Sequence, residues 1–354
     1  MKNIYLIVAF LIGGFGLAQI PDGYYDSAEG LSGYTLKSKL SEIIADGHLD
    51  KGYSGLWTAY ATTDRDLYYE NDNTILDIYS ENPNGLDSYT YNYRLHQCGS
   101  NSPNKEGGCY NREHIVPQSL FSNVKPTPMK HDAHFVVPTD YLVNNRRSNY
   151  PFGIVKTATW TSRNGSKLGE NSTSGYSGVV FEPIDEFKGD VARMIFYFVT
   201  RYEKRIPNFK SGDMLNGTTT QGLEDWQLAV LLTWHNQDPV SKREIDRNNA
   251  VYNYQGNRNP FIDHPEWVNL IWKKELSTQE VSKKDNILSI YPNPVTGGKL
   301  YFSNWNDYDK IDIFSTEGKK VKSVKSSNEI DVSNLPKGVY LLKADSKTIK
   351  FIIR

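Results

Sequence analysis

The chain has 354 residues, 38% of them hydrophobic and 23% charged, with a formal net charge of −1. That length predicts two or three domains, and the composition excludes a collagen, a coiled coil or wholesale disorder. The balance also excludes a generally basic nucleic-acid binder, although charge is unevenly placed: 13 Lys and Arg stand against 8 Asp and Glu from residue 281 onward, and 27 against 33 before it.

The chain opens Met1-Lys2-Asn3 and continues with an apolar run from Ile4 to Leu17. Gly16 and Ala18 are small residues at the −3 and −1 positions of a cut before Gln19, so residues 1–18 read as a secretory signal peptide. The run is shorter than the ~20 residues a membrane span needs. No later stretch is long and apolar enough to span, so the mature protein is expected to be soluble and outside the cytoplasm. In that setting Cys98 and Cys109, the two cysteines of the chain, are most simply a disulfide closing a Gly- and Asn-rich loop.

Helical spacing of Leu36, Leu40, Ile43 and Ile44 predicts a helix within residues 24–48. Residues 50–100, rich in Tyr, Asn and Asp, read as short strands and loops. "TATWTSRNGSKLG" reads as a hairpin turning at Asn164-Gly165. Four helices are then expected: "EFKGDVARMIFYFVTRYEKR", "LEDWQLAVLLTWHNQ", "SKREIDRNNAVYNYQ" and "HPEWVNLIWKKEL". The third carries a capping-box candidate, Ser241 with Glu244, and the fourth has Pro265 in its first turn. Strands followed by helices argue α+β. Residues 277–286 read as a polar linker. From 287 to 354, short alternating segments with turns at Thr316-Glu317-Gly318 and Pro336-Lys337-Gly338 predict a small all-β sandwich.

The chemistry concentrates in residues 109–156. "CYNREHIVPQSLF" sets Glu113 beside His114 just before Pro117, and "DYLVNNRRSN" reads as a short helix after Pro138. Residues 110–156 also carry Arg112, Lys125, Lys130, Arg146, Arg147 and Lys156 against Glu113, Asp132 and Asp140, a local surplus of positive charge. Hydrolysis of a phosphodiester needs a base for water, a cation at the phosphoryl oxygens, and further positive charge for the backbone. His114 suits the base, with an ordinary imidazole titrating near ~6.5. Glu113 and the amide oxygen of Asn144 suit a hard Mg²⁺ ion, which takes few protein ligands. Neighbours on a flat strand point to opposite faces. Glu113 and His114 can therefore serve one site only if the strand ends or bulges there. The order is strand, Glu-His, a Pro-rich loop, a second strand "HFVVP", and a helix bearing Asn144.

"NREHIVPQSLF" and "MKHDAHFVVPTDYLVNNRRSNYPFG" resemble the endonuclease I family of exported bacterial nucleases, of the His-Me finger (ββα-metal) class. "FEPIDEFKGDVARMIFYFVTRY", "LLTWHNQDPV" and "QGNRNPFIDHPEW" extend the resemblance over residues 24–275. It implies His114 as general base and Glu113 and Asn144 as metal ligands. Asp132 and His134 would be structural. Some members carry a transition-state arginine in a longer loop; here the loop is short, leaving Arg112 and Arg147 as candidates, with Arg258 behind them. The tail, with "SIYPNP", "IDIFSTEGKKV" and "VSNLPKGVYLLKA", resembles the C-terminal sorting domain of type IX secretion substrates; a carbohydrate-binding sandwich is the alternative.

The reading is a signal peptide at 1–18, a nuclease domain at 19–276, a linker at 277–286 and a sorting domain at 287–354. The resemblance implies a secreted or cell-surface, sequence-tolerant endonuclease, expected to be a monomer. Its cofactor would be Mg²⁺, with Mn²⁺ or Ca²⁺ as alternatives. Its partners would be DNA and RNA, cut to 5′-phosphate and 3′-hydroxyl ends, and the type IX secretion machinery. A catalytically inactive nucleic-acid or surface-binding protein is the competing class, opposed by the intact Glu113, His114 and Asn144. A metal hydrolase of another ester is a third, weakened because the chain has neither HExxH nor GxSxG.

Overall fold

The computed structural model describes residues 20–100, 102–122, 127–273, 290–302, 310–316, 318–325, 329–344 and 347–354. The expected signal peptide at 1–18 and linker at 277–286 lie outside them, as does Lys125. The chain divides into two compact units, Met1–Ser277 and Thr278–Arg354.

The first unit begins with α1 (Gly33–Ile43), which buries Leu36 and Leu40 on one face. The next stretch corrects the expectation of short strands and loops across residues 50–100, because it contains a helix, α2 (Leu56–Thr63). Leu56, Ala59, Tyr60 and Thr63 are its buried residues, and they recur at i, i+3, i+4 and i+7, the helical period. The β-favouring Tyr and Thr residues mask that period in the sequence. From residue 64 to 91 the chain is an irregular strap, with an isolated bridge between Arg65 and Ile75.

The central block folds as strand, strand, helix. β1 (Tyr110–His114) is followed by the single turn α3 (Gln118–Phe121). β2 (Val136–Asp140) then pairs antiparallel with β1, placing Glu113 opposite Val137 and His114 opposite Val136. α4 (Tyr141–Arg147) starts directly from β2 because Asp140 caps it, its carboxylate accepting from the Val143 amide. Capping by Asp at this position is worth ~1 kcal/mol. The Asp140 backbone amide donates in turn to the Asp77 carboxylate at 2.9 Å, tying the helix start to the strap.

A three-stranded meander follows: β3 (Val155–Thr161), β4 (Lys167–Asn171) and β5 (Val179–Glu182). The turn between β3 and β4 falls at Asn164-Gly165, where Gly165 takes φ 101°. α5 (Lys188–Arg201) is buried from Gly189 through Thr200, so it is the central helix of the unit rather than a surface one. α6 (Asp225–Gln237) packs against it. α7 (Lys242–Gln255) has its capping box formed by Ser241 and Glu244. It stops at Gly256, where φ is 85° and a Cβ would lie 2.4 Å from the Gly47 carbonyl oxygen. α8 (Pro260–Asp263) precedes the last expected helix, which is present as α9 (Glu266–Val268) running directly into a π-turn over Asn269–Lys273; residues 274–276 lie outside the described ones. Asn259 caps α8, its side chain accepting from the Phe261 amide, and α9 starts directly after Pro265, in line with that proline's expected place at the helix start.

In the second unit, β6 (Ile290–Tyr291), β7 (Lys299–Phe302), β8 (Lys310–Ser315), β9 (Lys320–Lys325), β10 (Glu329–Asp331), β11 (Gly338–Ala344) and β12 (Lys347–Ile353) form two antiparallel sheets. Their orders are β10-β7-β6 and β12-β11-β8-β9. Leu300 and Ile330 from one and Ile311, Ile313, Leu342 and Phe351 from the other share a single core. The protein is therefore a mixed helix-and-sheet unit followed by an all-β unit. Among the described residues no helix is long and apolar enough to cross a membrane.

Candidate active site

Arg112, Glu113, His114, Asn144 and Arg147 all line one cleft of about 350 Å³, together with Pro117, Gln118, Ser119, Ser148 and Asn149. The cleft lies where β1 ends at His114, so it takes side chains from both faces of the strand. α4 covers the Asn111/Glu113 face, and Tyr53, Lys130 and Phe121 surround the His114 ring on the other.

His114 is buried, with its Nε2 3.2 Å from the Lys130 carbonyl oxygen. A carbonyl can only accept, so that nitrogen carries the proton and Nδ1 keeps its lone pair. Burial pushes the imidazole down to about 3, against the upward pull of that hydrogen bond. Burial therefore favours the neutral ring, and its Nδ1 lone pair is the one open to accept.

Glu113 is also buried, and burial pushes its carboxyl above the usual range. Arg147, the Tyr79 hydroxyl and the His114 amide pull in the opposite direction. Tyr79 donates to Glu113 Oε1 at 2.9 Å and Arg147 Nη1 lies 3.1 Å from the same oxygen. Asn144 donates from Nδ2 to Asn111 Oδ1 at 2.8 Å. That bond uses the amino end of its amide, leaving the carbonyl end as an acceptor. A carboxylate that burial alone would neutralise, beside an amide oxygen, is an all-oxygen donor set suited to a hard divalent cation.

The two arginines differ in kind. Arg147 is 1% exposed. Besides Glu113, it donates from Nη1 to the His114 carbonyl at 2.9 Å and from Nη2 to the Ile115 carbonyl, and its guanidinium lies 4.6 Å over the Phe152 ring. It locks the end of β1 to α4. Arg112 is half-buried, 3.4 Å over the Tyr53 ring and 4.4 Å over Trp57, with Nη1 donating to the Tyr53 carbonyl. Arg258 lies elsewhere, bonded to Asp263 and Asn249. Asp132 accepts from Tyr197, Tyr202 and Gln255, and His134 Nε2 meets the Asn257 carbonyl. Both are joints of the core.

Sequence reasoning missed two supports. Asn111 sits two residues before Glu113, and the period of a strand could have placed it on the same face. Tyr79 comes from the irregular strap, and no local signal marks it. Cys98 and Cys109 are joined as a disulfide, directly before β1.

Residues 32–266 match the endonuclease I family, and residues 289–354 match the secretion system C-terminal sorting domain. The chain belongs to the endonuclease I family. It is 37% identical over 257 residues to a protein named "Extracellular ribonuclease" from Bacillus amyloliquefaciens, covering 70% of this chain and 78% of that one. It is also 37% identical over 259 residues to a protein of the same name from Bacillus subtilis (strain 168), covering 71% and 78%. It is thus a nuclease, a hydrolase of phosphodiester bonds, that is secreted or held at the cell surface through a type IX sorting domain.

Proposed function

We propose that the chain is a divalent-cation-dependent, sequence-tolerant endonuclease of the His-Me finger type, acting on DNA and on RNA. The observation that carries this is the single cleft at the end of β1, where a neutral His114 with a free Nδ1 faces the same space as Glu113 and Asn144. The ribonuclease names of its relatives support RNA as a substrate.

His114 Nδ1 accepts a proton from water as its oxygen bonds to phosphorus, and the bond from phosphorus to the 3′-oxygen breaks, that oxygen taking a proton from a solvent water. The products are a 5′-phosphate and a 3′-hydroxyl. Mg²⁺ held by Glu113 and Asn144, with Mn²⁺ or Ca²⁺ as alternatives, would supply positive charge to the phosphoryl and leaving oxygens. Arg112, fixed over Tyr53 and Trp57, holds a backbone phosphate at the cleft edge. Arg147 is a positioning residue that opposes the effect of burial on Glu113 and holds the end of β1 in place. The domain limits are proposed at 19–276 and 287–354, and the molecule is proposed to act as a monomer.

The test is nicking of a supercoiled plasmid and cleavage of a single-stranded RNA, each with Mg²⁺ and with EDTA. Cleavage of both with Mg²⁺ and of neither with EDTA is expected. Equal cleavage in EDTA removes the metal from the reading, and failure to cut either substrate with any of the three cations removes the enzyme.

A further inference from the structure

The irregular strap holds a group of acids that the active site does not use. Carboxylate oxygens of Asp66, Glu70 and Glu81 all lie within 4.8 Å of one another. Glu81 is 1% exposed, and its buried Oε1 has no hydrogen-bond partner. The segment's ion pair is Asp64 with Arg247; among the described residues no ion pair reaches Asp66, Glu70 or Glu81. A buried carboxylate with one oxygen lacking a hydrogen bond and with no ion pair, grouped with two further carboxylates, is costly to fold around. One positive ion among the three would relieve both the desolvation and the repulsion.

We propose that Asp66, Glu70 and Glu81 bind a structural divalent cation of the Ca²⁺ class, at a site separate from the nuclease cleft. The donors are all oxygen, which disfavours zinc. Ca²⁺ bonds at about 2.3–2.6 Å, so oxygens up to roughly 5 Å apart can share one ion; Mg²⁺, at about 2.0–2.1 Å, spans only about 4.2 Å. Three carboxylates also exceed the one or two that Mg²⁺ usually takes. The protein works outside the cytoplasm, where weak calcium sites fill. Asp66 is already oriented, its two oxygens accepting from the amides of Tyr68, Tyr69 and Glu70.

The site would clip together the two limbs of the strap. Between Glu70 and Glu81 lie Asp77, which holds the start of α4, and Tyr79, which holds Glu113. The ion would thus brace the active site without entering it.

The test uses the full mature chain, stripped of metal and titrated with CaCl₂ by calorimetry, with Glu113→Ala in place to silence the cleft. One site with Kd between about 10⁻⁵ and 10⁻³ M is expected, with a midpoint of thermal unfolding that rises by several degrees. Adding Glu81→Gln should weaken Ca²⁺ binding roughly tenfold or more and erase that rise. Its Ca²⁺-free midpoint should hold or increase, because an amide replaces a repelled carboxylate. Glu70→Gln, on the half-buried rim, is the second variant, with loss in the same direction. Tb³⁺ emission sensitised by the nearby Tyr68 and Tyr69 should fall in both. Ca²⁺ binding and stabilisation that persist unchanged in both variants, or that are absent in the Glu113→Ala chain, overturn the proposal. Neither readout depends on catalysis, so failure of the active-site reading would be seen separately.

Discussion

Replacing Arg147 with Met separates a positioning arginine from one that touches substrate. Arg147 is buried, pairs with buried Glu113 at 3.1 Å, and carries the carbonyls of His114 and Ile115. Met keeps much of the volume but strands a buried carboxylate and two backbone acceptors. Removing one partner of a buried pair costs about 3–5 kcal/mol, because the other charge is left uncompensated. At roughly 2–4 °C per kcal/mol for a unit of this size, the midpoint should fall by about 6–20 °C. The two units can melt separately, so the nuclease transition must be followed by itself. Circular dichroism of the mature chain, beside plasmid nicking well below the midpoint, reads both effects. Without Arg147 only Tyr79 and the His114 amide oppose burial at Glu113, so metal affinity should fall and excess Mg²⁺ should restore part of the rate. A variant with an unchanged midpoint and a rate that no metal concentration restores would refute this reasoning and place Arg147 on the substrate.

His114→Ala should keep Mg²⁺ and nucleic-acid binding while losing about 10²–10⁴-fold in turnover, whereas Glu113→Ala should weaken metal affinity; calorimetry showing the opposite pattern means the two roles are exchanged. The acid limb of the wild-type rate profile should lie below the ordinary histidine range, since burial holds His114 down to about 3; a rate that halves near pH 6.5 would show the ring to be more solvated than its burial implies. His134 and His235 are each lowered to about 4 by burial. Their folded values lie below the unfolded one, so their contribution is present above about pH 6.5 and is lost as pH falls through about 4. Thermal midpoints compared at neutral pH and near pH 4 should show the loss, and equal midpoints would contradict it. A chain ending near Leu276 should fold and cut DNA at a rate similar to the full length, and loss of both would show that the proposed boundary is misplaced.

The cassette from Cys109 to Asn149 was legible because its parts are local. A strand ending at Glu113-His114, a second strand, and a helix capped by Asp140 lie within some forty residues, and each announces itself by spacing or turn chemistry. Sequence alone also determined the disulfide, the capping box of α7 and the class of the second unit, since each rests on neighbours in the chain. Other features depended on distant partners. Residues 264–276 read as one regular helix, yet over Asn269–Lys273 it widens to a π-turn that buries Ile271 and Trp272. The helix at Leu56–Thr63 declared itself only once its buried face was set against α7 and β2. Arg112 and Arg147 look alike in sequence as two candidate cations. Tertiary structure made one an edge group stacked on Tyr53 and buried the other against Glu113. Tyr79 and Asp77 reach the site across 34 and 63 residues of chain, and Glu81 meets Asp66 only because the strap folds back on itself. Burial and counter-charge are properties of what surrounds a side chain, and for these residues the surroundings come from segments that no local pattern brings together.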